Sequence, residues 1–221
     1  MMTYHDEIQR LVNTALAELA QAHQRGQLVN APVANNHFLV RWVTNALKQQ
    51  RFHRCVGDDL TRWQKAGRSQ GNDAALERVF QRISAYYRLF FAPDASAEQP
   101  ITDQQIELFL DTMTEAGWEI STSEPLVGCG KVQLFTASPN SLALCAQQCE
   151  ACFDGSLLTQ PMSFFVRGNH AQFVELAWQA GFMVHKQTDY KSNVKYHGEY
   201  WIYPGNRGKQ LAEIPLGFQV G

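Results

Sequence analysis

The stretch from Met162 to Pro204 constrains the fold most. Met162–Arg167 is an apolar run of strand character. Asn169 follows as a helix N-cap, because its side chain can accept from the unpaired N–H groups of a first turn. Phe173, Leu176, Ala177 and Ala180 recur at helical spacing, and Gly181 supplies the left-handed residue that ends such a helix. Phe182–Gln187 and Lys195–Tyr203 then read as two strands joined by a polar turn. Strand–helix–strand–strand leaves one sheet face to bury, so the rest of the chain must supply a cover.

The first half reads as helices. Thr3 and Asp6 are spaced as a capping box, and Tyr4, Ile8, Leu11, Val12, Ala15, Leu16 and Leu19 form one apolar stripe that stops at Arg25-Gly26. A second helix follows Pro32, with Asn35 or Asn36 as its cap and Leu39, Val43, Ala46 and Leu47 inward. Gly57-Asp58-Asp59 opens a third piece that Gly67 closes, and Asn72 or Asp73 caps a fourth through Phe90. Four helices on short connections predict a small bundle.

Ala92 to Pro100 is small, polar and bracketed by prolines. The expected organisation is therefore a helical module over 1–92, a linker over 93–100 and a mixed α/β module over 101–221. Within the last, Thr102 or Asp103 caps a helix ending at Gly117, and Trp118–Ser121 and Lys131–Ala137 read as strands. Ser138-Pro139 reads as the start of a helix reaching Phe153. The fold class is α+β: a helical bundle, then a mixed, mostly antiparallel sheet of about five strands with helices on one face, related in spirit to ferredoxin-like folds. Phe109/Phe173, Ala116-Gly117-Trp118/Ala180-Gly181-Phe182 and Lys131/Lys195 match at a spacing of 64, a hint of an internal repeat.

Composition bounds the function only loosely. Hydrophobic residues make up 45% and charged residues 18%, as in globular domains, and no apolar run reaches the roughly 18 residues of a membrane span. No basic segment precedes an apolar one at the N-terminus, and five cysteines are an odd number for a disulfide framework, so a reducing cytoplasm is expected. Residues 1–92 carry a net charge of +5 and residues 93–221 a net of −7, which suits either a basic binding surface or two halves that attract.

Arg41, Lys48, Arg51, Arg54, Arg62, Lys65 and Arg68 cluster with Trp42 and Trp63. Basic groups beside aromatics suit a nucleic-acid or acidic protein partner, and a solvated helix face has the same composition. Cys145, Cys149 and Cys152 form Cys-x3-Cys-x2-Cys, with Cys129 upstream as a fourth thiolate. Their spacing falls on one face of a helix with Leu142, which reads as core packing or as a zinc or iron–sulfur site. The three-cysteine spacing resembles that of radical-SAM enzymes, a resemblance that implies a [4Fe–4S] cluster; Ala151 stands where that family has an aromatic residue. His53 and Cys55, flanked by Arg51 and Arg54, form a pair in which the thiol could be activated.

On the last hairpin, alternation places Lys195, His197, Glu199, Trp201 and Tyr203 on one face. With His185, that set reads either as a solvated strand or as an acid–base site lacking a nucleophile. Gly205-Asn206-Arg207-Gly208-Lys209 lacks the spacing and the hydroxyl of a P-loop. No complete catalytic set emerges. The expectation is a non-enzymatic binding or regulatory protein without a cofactor, and its alternative a metal- or cluster-binding redox protein.

Overall fold

A computed structural model describes residues 2–91, 100–128 and 130–220. The chain divides into two units, Met1–Ala95 with Lys209–Leu211 and Phe218–Gly221, and Ser96–Gly208 with Ala212–Gly217. Of the expected linker, residues 93–99 lie outside the described residues, as does Cys129.

The first unit is built from α1 (Tyr4–Gln24), α2 (Pro32–Lys48), α3 (Gly57–Gln70) and α4 (Leu76–Phe90). Thr3 caps α1 by accepting the Asp6 N–H, and the expected stripe is buried except for Leu16, which is half-buried. Three boundaries differ from the sequence reading. Pro32 itself opens α2, so Asn35 and Asn36 lie inside the helix and are buried. Asn36 Nδ2 donates to the Gly71 carbonyl at 2.8 Å, and its Oδ1 accepts the Leu76 N–H at 3.0 Å. The first turn of α4 is thus capped from α2 rather than by Asn72 or Asp73. The helix α3 also runs through Gly67 to Gln70, because Gly67 is where α2 comes closest. A Cβ there would stand 2.5 Å from Val40 Cγ2.

The second unit contains α5 (Asp103–Glu115), α6 (Ala146–Ala151) and α7 (His170–Gln179). Thr102 and Gln105 form a reciprocal capping box on α5. A five-stranded sheet runs in the order β1 (Glu119–Ser121), β2 (Ser141–Leu144), β5 (Met162–Arg167), β7 (Gly198–Ile202), β6 (His185–Lys186). A two-residue hairpin, β3 (Phe153–Asp154) and β4 (Leu157–Leu158), stands apart. Among the described strands only β1 and β2 pair in parallel. The α+β class and the mixed, mostly antiparallel sheet agree with the sequence reading.

Two elements there are corrected. Ser141–Leu144 is a strand, not helix: all four residues are buried between β1 and β5, and that pairing outweighs the helical preference of Leu and Ala. Lys131–Ala137 forms no strand and makes a single parallel bridge, Val132 to Val194. The 64-residue similarity therefore ends at its shared corner. Gly117 and Gly181 have φ of 86° and 87°, and Trp118 and Phe182 each donate back to the preceding helix. Beyond that corner, β1 pairs in parallel and β6 antiparallel.

The two sheet faces are covered differently. Leu142, Leu144, Phe164, Val166, Tyr200 and Ile202 face one core with α5 and α7. Ala143, Cys145 and Phe165 face the other, closed by Leu126, Val127, Val132, Leu134 and Val194 from irregular segments. Irregular backbone on a sheet face leaves clefts, and this is where the polar groups gather. Among the described residues no helix is long and apolar enough to cross a membrane.

Candidate functional site

The bridge at Val132 organises the most polar cleft. Val132 N–H donates to the Asn193 carbonyl and Lys195 N–H donates to the Val132 carbonyl, both at 2.8 Å. These bonds tie residues 131–132 to the β6–β7 connection, so Lys131 and Lys195 share one wall. Lys186 arrives from β6 and His170 from the first turn of α7. Together with Asp189, Ser192, Val194, Tyr196, His197 and Gly198 they line a cleft of about 500 Å³. Gly198 is required there, because a Cβ would meet His170 Cε1 at 2.7 Å.

Charge in the cleft is uneven: three ammonium groups and two imidazoles converge with one carboxylate. Lys186 Nζ lies 3.4 Å from Asp189 Oδ1, and Asp189 is largely exposed. Burial, reinforced by Lys186, holds the His170 imidazole below its ordinary range, against a smaller opposing pull from Asp189. Burial does the same to His197, where the Lys195 carbonyl opposes it and Arg167 adds to it. His170 Nδ1 is hydrogen-bonded to Tyr200 Oη at 2.8 Å.

His197 is only 4% exposed and bonded at both ring nitrogens. Its Nδ1 meets the Lys195 carbonyl at 3.0 Å, and a carbonyl can only accept, so Nδ1 carries the proton. Nε2 of the neutral ring is then the acceptor, and Ser141 Oγ donates to it at 3.0 Å. Glu199 is not part of this set: its Oε1 accepts from Ser163 Oγ at 2.8 Å and from Trp201 Nε1 at 2.7 Å. His185 is buried against Tyr203 and Gly208. The expected grouping of His185, His197 and Glu199 thus reduces to His197. Its partner Ser141 is 56 residues away, and sequence spacing gave no signal for it.

The seven basic residues expected to form a binding surface are all exposed. Arg51 pairs with Glu18 at 2.6 Å and lies over the Trp42 ring, and Arg62 pairs with buried Asp59. Among the described residues Arg41, Lys48, Arg54, Lys65 and Arg68 have no ion-pair partner. Trp42 and Trp63 are 5% and 4% exposed and pack in the core, so they offer no stacking platform. Arg41 and Arg51 border a second cleft of about 680 Å³ with Glu18, His37, Phe38 and Trp42.

The cysteines are divided. Leu142 and Cys145 are not on a helix with the other two: Cys145 caps α6 from the strand side and belongs to the Phe165 cluster. Cys152 is buried with the Phe164 cluster and Cys149 packs against it. Burial pushes the Cys145 thiol up, but N–H groups of Gln148, Leu126, Val127 and Gln147 together bring it below its ordinary range. Burial and the neighbouring thiols push Cys149 up, and burial and Cys145 do so at Cys152. Among the described residues no three His, Cys, Asp or Glu side chains gather as a metal ligand set. Burial, then Glu7, raises the Cys55 thiol despite its arginine neighbours, so the expected activation is not found.

Residues 3–215 match a protein-family model described as Protein of unknown function (DUF2913), and the chain belongs to that family. No curated protein and no solved structure matches it.

Proposed function

We propose that this DUF2913 chain is a binding protein whose α/β unit holds a small anion bearing phosphate or carboxylate groups. The observation that carries this reading is the convergence of Lys131, Lys186, Lys195, His170 and His197 on one cleft containing a single carboxylate. Ammonium groups bind such anions through charge-assisted hydrogen bonds, and a concave wall strengthens them by excluding water. A volume of about 500 Å³ lies within the usual size of a small-molecule site. Titrating inorganic phosphate and citrate into the wild type and the Lys131→Ala/Lys195→Ala variant tests it. Loss of both charges weakens binding at least tenfold, about 1.4 kcal/mol. Equal affinities, or no binding to the wild type, contradict it.

A second reading concerns the first unit. Five exposed cations without ion pairs among the described residues suit an acidic macromolecular partner, protein or nucleic acid, held by charge and therefore sensitive to salt. Replacing Arg54, Lys65 and Arg68 by Ala then lowers partner capture without lowering the melting temperature. Among the described residues Cys55, Cys145, Cys149 and Cys152 are free thiols, which suits the reducing cytoplasm.

A further inference from the structure

Ser141 and His197 also border a cleft distinct from the lysine-lined one, and that cleft has a different chemical character. It measures about 440 Å³, and its walls include Ile120, Val132, Leu134 and Leu142. Among the described residues its charged groups are Glu119 and Glu124, with no lysine or arginine. Ser121, Gln133 and Thr136 line it as well, so an uncharged molecule of mixed polarity fits such a lining, and an anion is repelled by it. His197 is the only residue that borders both clefts among those described.

We infer that Ser141 is a nucleophile, activated by His197, that accepts the acyl group of small uncharged carboxylic esters in this second cleft. Three features support the assignment. The Oγ–Nε2 separation of 3.0 Å is the geometry in which an imidazole takes a hydroxyl proton. The Lys195 carbonyl fixes the tautomer that leaves Nε2 as acceptor, the part a carboxylate plays in the Ser-His-Asp arrangement. The backbone is also bent to present the ring: Tyr196 is left-handed at φ 64° and 78% exposed, and His197 N–H closes the turn on the Val194 carbonyl at 3.3 Å. A left-handed non-glycine residue costs about 1–2 kcal/mol, and such strain gathers at functional sites.

In the reaction, Ser141 Oγ bonds to the ester carbonyl carbon and its proton passes to His197 Nε2. Collapse breaks the bond to the alcohol oxygen, which leaves with the proton from His197. Water then attacks the acyl-serine, giving its proton to His197, and the bond from the acyl carbon to Oγ breaks as His197 returns that proton to Ser141 Oγ and the carboxylic acid departs. Burial keeps the imidazole neutral, and so able to act as the base, down to lower pH than an exposed histidine.

The test is incubation of the full chain with p-nitrophenyl acetate and with a fluorophosphonate, followed by mass mapping. The expected result is one stable fluorophosphonate modification per chain, on Ser141, and an initial burst of p-nitrophenolate of the same stoichiometry ahead of slower turnover. Ser141→Ala abolishes it, and His197→Gln slows it about 10²–10⁴-fold. Both residues are buried, so melting is measured for each variant; the wild-type mapping needs no variant. Modification elsewhere, or none, overturns the inference. The anion reading is separable: phosphate is titrated into the wild-type chain and Ser141 is mapped on the same wild-type chain, so either result stands without the other.

Discussion

Val132 and Val194 meet in a parallel bridge that no strand continues, and its two 2.8 Å backbone bonds hold Lys131 and Lys195 on one wall of the anion cleft. The cleft thus depends on backbone hydrogen bonding at a residue whose side chain faces the core. Val132→Pro removes the N–H that Asn193 accepts and confines Lys131 to extended conformations. It lowers phosphate affinity severalfold, consistent with losing one bond of about 1 kcal/mol. Calorimetric titration checks this, and unchanged affinity contradicts it.

Gly67 and Val40 set the separation of α2 and α3. A Cβ at 67 would stand 2.5 and 2.8 Å from the Val40 methyls and 3.2 Å from its Cβ, which rotamer change cannot relieve fully. Overpacking costs about 1–3 kcal/mol and outweighs the roughly 1 kcal/mol that Ala gains over Gly in a helix. Gly67→Ala therefore destabilises the protein, and Val40→Ala added to it recovers most of the loss in denaturant unfolding. A Gly67→Ala protein as stable as the wild type contradicts this packing.

Asn36 bonds the Gly71 carbonyl, in the connection from α3 to α4, and the Leu76 N–H, at the start of α4. Asn36→Ala strands two backbone groups and costs about 1–3 kcal/mol, whereas truncation of an exposed polar residue such as Asn45 stays within about 0.5 kcal/mol. Comparable melting of the two variants would refute the long-range cap.

The imidazoles of His170 and His197 make stability depend on pH. Burial lowers both below the ordinary 6.5, so the unfolded chain binds protons that the folded chain does not. Their contribution is present above about 6.5 and is lost as pH falls toward the depressed folded values. Bound phosphate favours imidazolium, so saturating phosphate reduces the loss of melting temperature between about pH 7 and pH 5. An identical loss with and without phosphate would show that no anion sits beside them.

The sequence made the capped elements legible. Thr3, Thr102, Asn169 and Gly181 mark boundaries through local bonds, and local bonds can be read locally. Ser141–Leu144 was misread because an apolar run buried on both faces has no period of its own, and its neighbours lie in other parts of the chain. Lys131–Ala137 alternates like a strand but finds a partner at one residue only. The candidate sites were least legible. His197 stood out by type, while Ser141 became its partner, and Lys131 and His170 became cleft neighbours, through tertiary folding alone.

The most direct measurement for the central claim is a backbone amide NMR titration of the full chain with inorganic phosphate at low ionic strength. Saturable shifts confined to Lys131, His170, Lys186 and the 192–198 segment are predicted. Absence of saturable shifts, or shifts concentrated on the helices that carry Arg54, Lys65 and Arg68, would contradict an anion site in the α/β unit.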